Sequence, residues 1–99
     1  MKRIVKIPNA YGREDKYILQ KEYEGFGIYQ EKTPSGFFKH QSYLITNEKI
    51  IVVCQSYNDM CVEELMDVID NYNKNGKFGI KVMNVNGIYF MHPNGNVRV

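Results

Sequence analysis

Residues 50–76 read IIVVCQSYNDMCVEELMDVIDNYNKNG, and this stretch decides the fold. It opens with Ile50-Ile51-Val52-Val53-Cys54, apolar at every successive position, so no alternation separates an inner from an outer face. That pattern predicts a central strand covered on both sides. The period then changes. Cys61, Leu65, Val68, Ile69 and Tyr72 recur at spacings of three and four, with Val62 and Met66 beside them; Asp59, Glu63, Glu64, Asp67 and Asp70 take the other side. This predicts an amphipathic helix over about 58–74. Ser56-x-x-Asp59 fits a capping box with Asp in place of Glu, Asn58 is an alternative N-cap, and Asn75-Gly76 supplies the stop.

On the N-terminal side, Arg3, Val5 and Ile7 alternate with Lys2 and Lys6, a short strand that Pro8 ends. Residues 9–16 are polar and hold Gly12, a loop. Tyr17, Leu19 and Tyr23 share one strand phase, whereas Phe26 and Ile28 fall in the opposite one. Either a bulge at Glu24-Gly25 resets the face or these two residues form a tight turn. The bulge is preferred, because Glu suits the positive-φ first position of a type I′ turn poorly. Thr33-Pro34-Ser35-Gly36 is a turn that joins 26–32 to 37–46 as a hairpin, and Asn47-Glu48-Lys49 is the next turn.

Beyond the helix the pattern is a meander: a strand over 78–85, a type I′ turn at Asn86-Gly87, its partner over 88–92, and Pro93-Asn94-Gly95-Asn96 leading into Val97-Arg98-Val99. A two-residue turn sets Val85 opposite Ile88, Met83 opposite Phe90 and Val82 opposite Met91. The expected fold is one α+β domain over residues 1–99: a mostly antiparallel, curved sheet of about six or seven strands with one amphipathic helix packed on it.

Both phases of the meander are apolar. Met83, Val85, Ile88, Phe90, Val97 and Val99 share one; Phe78, Ile80, Val82, Tyr89 and Met91 share the other. One helix covers one side. The second face needs an N-terminal hairpin folded over it, the 33–36 hairpin bringing Phe37 and Phe38 across, or a second copy. The expectation is a two-fold homodimer, with Phe78, Ile80, Val82, Tyr89 and Met91 as the self-association set and Val97-Arg98-Val99 as an edge to be paired.

At 99 residues, 43 % hydrophobic and 24 % charged, the chain suits one folded domain and excludes disordered and collagen-like classes. Its longest apolar run is five residues, far from the roughly 20 that span a bilayer. The basic start lacks an apolar h-region, so no signal peptide is expected and the expected location is cytoplasmic. Net charge is +2 but unevenly placed: residues 1–57 sum to +3, 58–73 to −5 and 74–99 to +4. Lys, Ile and Asn occur ten times each and Ala once, a bias toward A/T-rich codons that suggests a low-GC bacterium, its phage or another mobile element.

The chemistry-bearing residues form no strong constellation. With no secretion signal, Cys54 and Cys61 are not expected to pair. Cys54 reads as a small buried hydrophobe, and Cys61 falls in the first helical turn, where a helix dipole favours a thiolate. Paired with His40 or His92 it would make a nucleophile and base, but no nucleophile elbow precedes it. The Cys and His spacings fit no zinc knuckle, a convex acidic helix face converges on no cation, and Gly25-Phe26-Gly27 opens no dinucleotide-binding unit. No metal or cofactor is expected. The most suggestive set is basic and aromatic: Tyr11, Tyr17, Tyr23, Tyr29, Phe37, Phe38, Tyr43 and Tyr89 lie on or beside strands that hold Lys16, Lys21, Lys39, Lys77 and Lys81. Such faces stack bases and neutralise phosphate, although tyrosines are also ordinary strand formers. The candidate binding residues are Lys39, Tyr43, Lys77, Lys81 and Tyr89. The expected function is a small non-enzymatic protein-binding or inhibitory accessory module. A nucleic-acid or nucleotide binder using a basic, aromatic sheet face is the alternative, and a thiol-dependent enzyme using Cys61 ranks last.

Overall fold

The computed structural model of the chain describes residues 1–9, 11–47, 49–56, 58–76 and 78, together with the backbone of 82–85 and 88–91. Five strands, β1 (Ile4–Pro8), β2 (Glu14–Tyr23), β3 (Phe26–Lys32), β4 (Phe38–Thr46) and β5 (Ile51–Gln55), follow one another as antiparallel neighbours. One helix, α1 (Val62–Asn75), packs on this curled sheet. Among the described residues no helix is long and apolar enough to cross a membrane.

The continuous apolar run does what its pattern predicts. Val52, Val53 and Cys54 of β5 are all buried, and they point to different cores. Val52 and Cys54 meet α1 through Phe26, Ile28, Tyr43, Ile45, Leu65, Val68 and Ile69. Val53 faces the other way, toward Ile7, Tyr17, Tyr29 and Leu44, with Val5, Leu19 and Ile51 at the margin. The second face of these strands is therefore covered within the chain, by the β1–β2 hairpin wrapping over it. Phe37 and Phe38 take no part in this core, being 73 % and 38 % exposed. The second face of the 78–99 meander, which they are expected to cover, lies, Phe78 apart, outside the described side chains.

Two irregularities produce the wrap. The register of β2 with β3 shifts between Leu19, opposite Tyr29, and Lys21, opposite Ile28. The extra residue, Gln20, is a bulge. It lets Tyr17 and Leu19 face one core while Tyr23, opposite Phe26, faces the other. The bulge expected at Glu24-Gly25 is thus corrected. Those residues form the tight turn, both with positive φ, 48° and 86°, as a type I′ turn requires. No glycine marks Gln20, so the phase break shows in the sequence only at the next glycine. The second irregularity lies between Gln30, opposite Tyr43, and Lys32, opposite Phe38. Residues 39–42 arch away from β3 there, and their carbonyls find other donors. Gln30 Nε2 donates to Lys39 O at 2.9 Å, Met60 N–H to His40 O at 2.8 Å and Ser56 N–H to Gln41 O at 3.1 Å.

These last two bonds explain a second correction. The helix starts at Val62, not near 58, because the preceding chain is tied to β4. Cys61 is its N-cap, extended and without a side-chain cap bond. Ser56 Oγ instead accepts the Asn58 N–H at 3.1 Å in a local turn, and Met60 is buried. The helix ends as expected: Gly76 takes φ 73° and donates to Tyr72 O at 2.7 Å. Its last turns are moored to the β2–β3 turn, with Tyr23 Oη donating to Asp70 at 2.7 Å and Asn73 Nδ2 to Glu24 O at 3.1 Å.

After the helix, Phe78 stacks on Tyr72 at 4.4 Å between ring centroids and joins the helix-side core. Val82–Val85 (β6) and Ile88–Met91 (β7) pair antiparallel, Val82 opposite Met91 and Met83 opposite Phe90, the register a two-residue turn sets. Lys77, Ile80, Lys81, the Asn86-Gly87 turn, His92, the turn at 93–96 and the strand at 97–99 lie outside the described residues.

Candidate binding face

Helix α1 covers only part of its side of the sheet. Residues directly opposite in a ladder project from the same face. Lys6 stands opposite Lys16, and Lys16 opposite Lys32, so three lysines form a row across β1, β2 and β3. Phe38 of β4, opposite Lys32, continues the row. Ile4 opposite Ile18 lies beside it. Lys6 and Lys16 are exposed, and Lys32 is half-buried with its Nζ 5.5 Å from the Phe38 ring centroid. Among the described residues none of the three lysines forms an ion pair.

Two loops stand at this end of the sheet, and polar side chains lock both. Asn9 Oδ1 accepts the N–H groups of Tyr11 at 2.9 Å and Arg13 at 3.1 Å, while its Nδ2 donates to Asp15 at 3.0 Å. Thr33 Oγ1 accepts the Phe37 N–H at 3.1 Å, and the backbone closes with Thr33 N–H to Phe37 O at 2.8 Å. The first loop holds Tyr11 out, 89 % exposed; the second presents Phe37. Between them lies an open cleft of about 1040 Å³, with Ile4, Ile18, Lys16, Lys32, Tyr11 and Arg13 among its lining. Three carboxylates also border it. Glu31 is buried and paired to Lys39 at 2.9 Å, whereas Asp15, which accepts from the neutral Asn9 amide, and Glu14 keep their charge at the cleft.

The residues expected to bind are not brought together here. Lys39 spends its charge on Glu31. Tyr43 is corrected from a surface ring to a core residue: it is buried in the helix-side cluster, its hydroxyl directed at Met60 O, 3.4 Å away. Burial pushes the Tyr43 hydroxyl above its ordinary pKa. Tyr17 and Tyr29 are core residues too, Tyr17 sharing a 3.3 Å hydrogen bond with Ser42. Lys77 and Lys81 lie outside the described residues, and Tyr89 is described by its backbone. Lys6, Arg13 and Lys32 escaped the sequence reading. Their signal exists only once the loop lengths and the Gln20 bulge fix the register.

Cys54 is buried, and burial drives its thiol pKa far up, so it is inert. Cys61 is exposed at the helix start. The Glu63 carboxyl is held below its ordinary range by its own backbone N–H and by a hydrogen bond from the Cys61 thiol. His40 reaches this region through its carbonyl, bound by Met60. Among the described residues no group of three His, Cys, Asp or Glu side chains converges as metal ligands would. No protein-family model matches the chain, and neither a curated protein nor a solved structure does.

Proposed function

We propose that the protein is a small, non-enzymatic binding module that takes nucleic acid on the open sheet face of β1–β3. The row Lys6–Lys16–Lys32 carries this reading. Like charges directly opposite destabilise a ladder, so a row of three lysines without an ion pair among the described residues needs a reason outside folding. A phosphate backbone supplies it: regularly spaced negative charge whose neutralisation releases counterions. Polarisation of labelled DNA and RNA tests this. Binding is expected at low salt and should weaken steeply between about 50 and 200 mM. Lys16→Gln should flatten that dependence. An absence of binding at low salt, where screening is least, ends the reading.

The protein-binding or inhibitory accessory role keeps one specific support. Tyr11 and Phe37 are exposed rings on locked loops, and preorganised aromatic anchors of this kind dominate protein interfaces. Capture of one protein from nuclease-treated lysate, lost on Tyr11→Ala with Phe37→Ala, would favour it over nucleic acid.

In the same proposal the sheet reaches its six or seven strands through the β6–β7 hairpin. Val52, Val53 and Cys54 of β5 stand beside Tyr89, Phe90 and Met91 of β7 in parallel, for the order β1-β2-β3-β4-β5-β7-β6. The two-fold dimer through Phe78, Ile80, Val82, Tyr89 and Met91, with Val97-Arg98-Val99 as the edge to be paired, stays part of the proposal, and light scattering that stays at 11.6 kDa on concentration would remove it. A cytoplasmic protein of a low-GC bacterium or its phage remains part of the proposal, on the strength of the composition.

A further inference from the structure

We infer that the open face takes a single strand rather than a duplex, its lysine row holding phosphates while Tyr11 and Phe38 stack unpaired bases. This rests on the nucleic-acid reading above and adds the form of the ligand. Two kinds of observation meet at the face. The first is charge: Lys6, Lys16 and Lys32 run across three strands, and Lys16, Lys32 and Arg13 line a cleft whose carboxylates are Glu14, Asp15 and the Lys39-paired Glu31. The second is the position of the rings. Phe38 is the next residue of the row after Lys32. Tyr11 lines the cleft from the loop that closes its other side. Lysines that track a backbone beside aromatics that stack on bases are the two parts of a sequence-tolerant single-strand site.

A duplex uses only one of these parts. Its base faces are already stacked on one another, so exposed rings have no partner there, whereas an unpaired strand offers a π-face at every base. An acidic polypeptide also uses only one part, since it supplies charge and no base. The Lys32 ammonium lies 5.5 Å from the centroid of the partly exposed Phe38 ring, so a base stacked on that ring would have a cation beside it. The row itself is all lysine, which suits contact with phosphates as point charges rather than bidentate reading of base edges.

The test is equilibrium binding of a labelled mixed-sequence oligonucleotide, the same sequence as a duplex, and poly-glutamate of similar charge, all at one salt concentration. The single strand should bind at least about tenfold more tightly than either competitor, one stacked base being worth that much. Tyr11→Ala should weaken single-strand binding about tenfold with the salt dependence unchanged, and Tyr11→Phe should restore it. Phe38→Ala should act likewise; Tyr11, on an exposed loop tip, keeps the test available if the Phe38 variant misfolds. Lys16→Gln should instead flatten the salt dependence for every polyanion. Equal binding of duplex or poly-glutamate, with Tyr11→Ala neutral, overturns the single-strand inference and leaves the charged face standing. No nucleic-acid binding at low salt overturns both.

Discussion

Lys16 stands directly opposite Lys32 in the β2–β3 ladder, and among the described residues neither meets a carboxylate. Lys6 repeats the arrangement on the other flank of Lys16. A central strand position between two lysines is the least favourable place for a third, so stability and binding oppose each other at Lys16. Lys16→Thr removes the repulsion and installs a good strand former. It should raise stability by about 0.2–1 kcal/mol in urea unfolding while weakening nucleic-acid binding. A destabilised Lys16→Thr would show that the row carries no folding penalty and would remove the motive for reading it as a site.

Gly27 is fixed by space, not by a special φ. A Cβ there would run into Met1 Sδ, the end of a flexible side chain, and lie 2.6 Å from Cε1 of Tyr29, whose ring leans over Gly27 so that its hydroxyl donates to Lys2 O. The absent side chain thus lets Tyr29 tie the N-terminal segment to the sheet. Gly27→Ala should cost about 1–3 kcal/mol, the range for overpacking a filled site. A urea midpoint that does not move would mean that Tyr29 yields freely and that the tie to Lys2 contributes little.

What the sequence shows and hides follows from range. The β5 run and the α1 stripe are legible because they are local: Val52 and Val53 are both apolar, and Leu65, Val68 and Ile69 sit at helical spacing. All five are buried. The helix start is not legible, since Ser56, Asn58 and Asp59 are all plausible caps, and the bonds from Ser56 to Gln41 O and from Met60 to His40 O, fifteen and twenty positions away in the chain, hold 58–60 out of the helix. The bulge at Gln20 is silent for the same reason: nothing in Leu19-Gln20-Lys21 differs from a regular strand. That silent residue decides which face each residue of β2 takes. It moves Tyr23 to the helix side, and together with the loop lengths it brings Lys6, Lys16 and Lys32 into line. A basic, aromatic sheet is legible in the composition of the strands, but of its expected residues Tyr43 belongs to the core and Lys39 is paired to Glu31.

Glu24 is the one non-glycine among the described residues with positive φ, at 48°. Left-handed backbone costs an ordinary L-residue roughly 1–2 kcal/mol, and Asn, which tolerates it, is the favoured first residue of a type I′ turn before Gly. Glu24→Asn should therefore stabilise the protein by about 0.5–1 kcal/mol. The backbone carbonyl that accepts from Asn73 is unchanged by the substitution. Loss of stability in Glu24→Asn would point to a contribution from the Glu24 carboxylate itself.

Tyr23 gives the fold an alkaline limit. Its hydroxyl donates to Asp70, and that bond, followed by desolvation and the charges of Asp70, Glu24 and Asp67, pushes its pKa up to about 12. An unfolded tyrosine ionises near 10. The raised value means that the folded state holds the proton more tightly. The contribution is therefore fully present below about pH 10 and is lost as pH rises from there through about 12. Above that range the phenolate would face the Asp70 carboxylate, and the end of α1 would lose one of its ties to β2. Urea midpoints for the wild type should fall across this window. Tyr23→Phe should start lower at neutral pH, because the bond to Asp70 is gone, and then fall less steeply. The buried Tyr17, Tyr29 and Tyr43, whose pKa values burial also raises, respond in both proteins and cancel in the comparison. Parallel declines for the two proteins would show that Tyr23 keeps no preferential hold on its proton and that the tie to Asp70 is not formed in solution.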